Sequence, residues 1–122
     1  MPSLDHPAIA IVGRGCVLPG ATSPDELWRK LRTGPALLSP PPIGRWPVVS
    51  AVVTLDAAGT QWSDRGGYVD GFVFDPSGFG MDAEVLMQAD RCAHWVLHAS
   101  RSALHEAGHD PARGHQRTGA IL

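Results

Sequence analysis

Ala8-Ile9-Ala10-Ile11-Val12-Gly13-Arg14-Gly15-Cys16, then Leu18-Pro19-Gly20-Ala21 and Ser23-Pro24-Asp25-Glu26-Leu27-Trp28, is the stretch whose reading decides the fold. Ala8 to Val12 is an unbroken apolar run rich in β-branched side chains and closed by glycines, which predicts a strand buried on both faces, as in a central sheet covered by helices. Ser23-Pro24-Asp25-Glu26 is a helix start with a mechanism. The Ser23 hydroxyl can accept from the Glu26 amide, the Glu26 carboxylate can reach back, and Pro24 sits where no amide donor is needed. Leu27, Trp28 and Leu31 recur at helical spacing and are expected to face inward. Arg29, Lys30 and Arg32 favour the carboxyl end, and Gly34-Pro35 stops the helix.

Working outward, residues 35–67 form a long irregular excursion of prolines, glycines and small residues, with Pro40-Pro41-Pro42 unable to join a hydrogen-bond ladder. Such a stretch is unusual inside a compact domain and is expected to wrap over something larger than this chain. Val48 to Leu55 is a candidate short strand within it. Tyr68 to Phe74 alternates in part, Asp75-Pro76-Ser77-Gly78 reads as a turn, and Asp82 as the cap of a following helix. The clearest helix spans about Asp90 to Ala107 and stops at Gly108, with Asp110-Pro111 beyond. Cys92, Val96, Ala99, Ala103 and Ala107 gather on one side of it, with Trp95 and Leu104 at the margins, and the small residues predict close approach to another element. Thr118 to Leu122 reads as the opening of a buried strand. Trp28, Trp46, Trp62 and Trp95 are dispersed and read as core anchors.

Composition narrows the function classes. The chain has 122 residues, 43% hydrophobic and 18% charged with a net charge of −2, enough for one modest core and without the basic face that nucleic acid requires. Its two cysteines, Cys16 and Cys92, lie far apart, so neither a disulfide framework nor a cysteine zinc site is expected. A reducing cytoplasm fits this usage. No secretory segment opens the sequence and no apolar run is long enough for a membrane span.

Three patterns invite a chemical reading. Gly13-Arg14-Gly15 after a strand suggests a dinucleotide loop, but Leu18 occupies the third glycine position, Pro19 follows where a helix should run, and Gly34 to Leu38 offers no acidic residue for a ribose. His94, His98 and His105 share a face of the last helix, with Asp90 one turn before and His109 just past its end. That spacing could present metal ligands. Their position opposite the apolar side favours a solvated polar surface instead, and no Glu follows His94 as a hydrolytic site would need. Cys16 stands in a turn where a nucleophile could be displayed, yet no histidine lies nearby in sequence, and a small packed residue is the simpler reading; Cys92 is expected to pack on the apolar side.

Taken in order, the opening motifs resemble those of β-ketoacyl synthases of modular polyketide synthases, which begin with a strand, a Gly-x-Gly-Cys turn, a Pro-Gly pair and a Ser-Pro-x-x-Leu/Phe-Trp helix. Pro42 to Trp46 resembles that family's Pro-x-x-Arg-Trp, Arg65-Gly66-Gly67-Tyr68 its Arg-Gly-Gly-Phe, and Phe74-Asp75 through Phe79-Gly80 its Phe-Asp-x-x-Phe-Phe-Gly. Ala103-Leu104 through Ala107-Gly108, Asp110-Pro111 and Arg117-Thr118-Gly119 resemble its helix-to-strand junction. The resemblance covers nearly the whole chain, 1–122 as one partial domain. Gln88 to His94 departs from the modular Met-Asp-Pro-Gln-Gln-Arg and is closer to stand-alone fatty-acid synthases, so modular, iterative, polyunsaturated-lipid and non-catalytic subtypes stay open.

The resemblance implies an α/β fold, the truncated amino-terminal part of a thiolase-like layered α/β/α/β/α architecture. It also implies decarboxylative Claisen condensation by a parent acyltransferase of polyketide or fatty-acid biosynthesis. There an acyl group rides on a cysteine thiolate, two histidines assist decarboxylation of a malonyl unit on phosphopantetheine, and the carbanion attacks the thioester. Those residues lie downstream of Leu122 in the family. Cys16 matches a cysteine of the amino-terminal turn and none of the six histidines matches the catalytic pair. This segment is therefore expected to hold no catalytic, cofactor-binding or metal residue and to be inactive alone. Implied partners are an acyl carrier protein and a second synthase domain. The alternative is a partner resembling the chain-length factor, or a structural remnant of the same fold.

Overall fold

In a computed structural model, the described residues are 8–34, 37–43 and 65–110. They contain three helices in chain order: α1 (Pro24–Thr33), α2 (Ala83–Met87) and α3 (Arg91–Glu106). The expected caps Ser23 and Asp82 open α1 and α2, and Asp90 caps α3. Ser23 Oγ accepts from the Glu26 amide at 3.2 Å, and the Glu26 carboxylate reaches back to the Thr22 amide at 2.9 Å, one residue further upstream than in a standard capping box. Asp82 and Asp90 each accept from the amide two residues on at 2.7 Å, opening α2 and α3. At the other end of α3, Gly108 takes φ 76°, its amide bonds His105 O at 3.0 Å, and the His109 amide bonds Leu104 O at 2.8 Å. That pair of bonds is a Schellman stop, which satisfies carbonyls the helix would otherwise orphan.

Between strand-like start and first helix, Leu18 and Ala21 exchange backbone bonds of 2.8 and 3.0 Å around Pro19-Gly20, with Gly20 at φ 72°. Proline presets the first corner position and glycine accepts the left-handed second. Ala21, at 2% exposure, is one of the buried apolar side chains among the described residues, with Phe74 and Leu86. The Asp75–Gly78 turn forms as expected, with the Ser77 amide on Asp75 Oδ1 at 3.0 Å. Ser39 and Gly66, both within the 35–67 stretch, pair across an isolated antiparallel bridge.

Several expectations are corrected. Residues 8–12 belong to no strand among the described residues, and Ile9 is 94% and Ile11 87% exposed. A β-strand holds its place through ladder bonds to neighbours, and among the described residues this segment pairs with none. Trp28 and Leu31 do not face inward: both are exposed, and Trp28 is a surface side chain rather than a core anchor, with the Arg32 guanidinium 5.9 Å from its ring centroid. Cys92 and Val96 are also exposed, whereas Ala99, Ala103 and Ala107 lie against the backbone of Gly13 and Gly15. Trp95 is half-buried. Trp46, Trp62, Val48 to Leu55 and Thr118 to Leu122 lie outside the described residues.

Candidate functional site

The Gly13–Cys16 turn lies along the flank of α3. A Cβ at Gly13 would run into the Ala103 carbonyl, and one at Gly15 into the Ala99 carbonyl. The glycines are thus required by close approach of backbone to helix, and the alanines on α3 provide the matching shallow surface. Arg14, between them, points along the helix to Glu106, donating through its amide, Nε and Nη2. The side-chain hydrogen bond with Glu106, then its charge, raises the Arg14 guanidinium; the same side-chain hydrogen bond, followed by the Arg14 amide and then its charge, lowers the Glu106 carboxyl against an opposing effect of burial. A phosphate would need the open amides at a helix's amino end. This turn rests instead on the side of α3, with the Arg14 amide already given to Glu106.

The polar face of α3 is a second correction. It is not a solvated surface at its centre. His94 Nε2 stands 2.7 Å from Leu86 O while its ring stacks on Phe74 with centroids 4.4 Å apart. One turn on, His98 Nε2 stands 3.1 Å from Thr22 O and the ring meets Phe72 edge-on at 5.2 Å. A carbonyl only accepts, so in both rings Nε2 carries the proton. Arg101 continues the row: its Nη1 donates to Asp75 O at 3.1 Å and Ser77 O at 2.8 Å, and its guanidinium lies 4.8 Å from the Phe79 centroid. These side chains fasten three separate segments to one helix. Arg101 was missed in the sequence, although its place seven residues after His94 on the same helical face was a usable signal. His105 and His109 are exposed beyond this row, and no group of three or more metal-ligating side chains occurs among the described residues.

Cys16 is half-buried on the wall of an open groove whose other sides are Arg14, Pro24, Asp25, Leu27, Trp28 and Leu31. Burial pushes its thiol up, and the Glu26 carboxylate adds to the effect. Both influences disfavour thiolate, the opposite of what activates a nucleophilic cysteine. The described residues therefore form a packing centre in which turns and side chains are held on α3.

The family model for the β-ketoacyl synthase N-terminal domain matches residues 6–122. The chain belongs to this family. Similar curated proteins include mycoketide-CoA synthase of Mycobacterium tuberculosis, 39% identical over 84% of this chain and 3% of the relative. The pikromycin polyketide synthase component PikAII of Streptomyces venezuelae is 34% identical over 88% of this chain and 3% of its own length. Highly reducing polyketide synthase cla2 of Cladosporium cladosporioides is 38% identical over 82% of this chain and 4% of its own length. The chain thus spans only a few per cent of the relatives it matches. No solved structure matches it.

Proposed function

We propose that this chain is the amino-terminal scaffold of a β-ketoacyl synthase that elongates acyl chains by decarboxylative Claisen condensation in polyketide or fatty-acid biosynthesis. The observation that carries the proposal is the family match over residues 6–122, joined by polyketide synthase relatives. Under this reading, residues 8–12 are an interior strand of a layered thiolase-like sheet. The apolar, β-branched character of the run and the glycine turn seated on α3 support it. The parent acts as an acyltransferase on phosphopantetheine-linked acyl and malonyl thioesters, meets an acyl carrier protein and pairs with a second synthase domain. The 122 residues contribute support and no reacting group. Among the described residues no helix is long and apolar enough to cross a membrane; the reading places the parent in the cytoplasm.

The gene's reading frame and a thioester assay test this together. The proposal requires a Thr-Ala-Cys-Ser-Ser-like nucleophile turn and two histidine motifs after residue 122. It also requires that the 122-residue chain alone release no carbon dioxide from a malonyl thioester in the presence of an acyl thioester. A frame lacking the nucleophile turn, or condensation by the short chain, would overturn it.

A further inference from the structure

We draw no further inference here: the strongest candidate, the open groove between the Gly13–Cys16 turn and α1 where Trp28 and Leu31 lie exposed, is an unpartnered apolar face, and nothing in the structure shows what covers it.

Discussion

At Gly13 and Gly15 the backbone does not take a positive φ, so conformation alone would admit a side chain. What excludes one is the carbonyl of Ala103 or Ala99. Gly15→Ala should therefore destabilise the fold by about 1–3 kcal/mol, the usual range for overpacking. Because the obstacle is backbone, adding Ala99→Gly should recover none of that loss, and denaturant unfolding of the single and double variants reads the difference. Recovery in the double variant would place the clash on the Ala99 methyl instead. Gly20 contrasts with this: at φ 72°, with Leu37 Cδ2 at an ordinary 3.4 Å from an added Cβ, Gly20→Ala should cost about 1 kcal/mol through conformation. The two cysteines also separate at this scale. Cys92 is exposed while Cys16 is half-buried with its thiol pushed up. Iodoacetamide at neutral pH should label Cys92 first, and peptide mapping that finds Cys16 modified ahead of it would contradict the burial of the turn.

Among the elements, the capping contacts set an acid limit. The Thr22 amide, then Lys30, hold the Glu26 carboxyl below its ordinary value, and the Cys92 amide does the same for Asp90. The Ser77 hydroxyl and amide lower Asp75. A carboxylate whose folded pKa is depressed contributes stability that is fully present above its unfolded pKa, roughly 4, and is lost as pH falls through the lower folded value. Helicity followed by circular dichroism should hold from neutral pH to about 5 and fall progressively below about 4. Glu26→Gln keeps an acceptor but removes the titration, so its acid limb should be shallower than that of the parent chain. Equal limbs would show that Glu26 contributes nothing to it. Ser23→Ala should cost about 1 kcal/mol by removing the α1 cap.

These caps were the most legible features of the sequence. Ser23, Asp82 and Gly108 all act where local chemistry put them, because capping depends on side chains and amides within a few residues of each other. The inward placement of Trp28 and Leu31 was not legible in the same way. Helical periodicity identifies an apolar stripe but carries no information about whether a neighbour is present to cover it. The histidine row failed for a related reason: its partners, Leu86 O and Thr22 O, are backbone groups of other segments, which no side-chain pattern announces.

For the molecule as a whole, the large apolar side chains left at the surface dominate behaviour in solution. Ile9, Ile11, Trp28 and Leu31 are each more than half exposed. An extended segment with unburied side chains and free edges recruits other chains. The isolated protein should self-associate in a concentration-dependent way, and Ile9→Lys with Ile11→Lys should shift sedimentation toward the monomer. A monodisperse monomer from the unaltered chain would overturn that expectation. Trp28→Ala, by contrast, should change stability by about 1 kcal/mol or less, since the ring is largely exposed and its contact with Arg32 lies at the surface.

The Ser39–Gly66 bridge, reinforced by Arg65 donating to Leu38 O at 2.7 Å, has a consequence for protein engineering. The bridge holds residues 39 and 66 together as the two jambs of a doorway. Whatever is spliced between the two jambs lengthens a ring already closed by the bridge. For a flexible Gly-Ser insert the closure entropy grows only as the logarithm of length, about 0.6 kcal/mol for each doubling. An insert placed between the jambs therefore adds little closure cost to the ring that the bridge already closes.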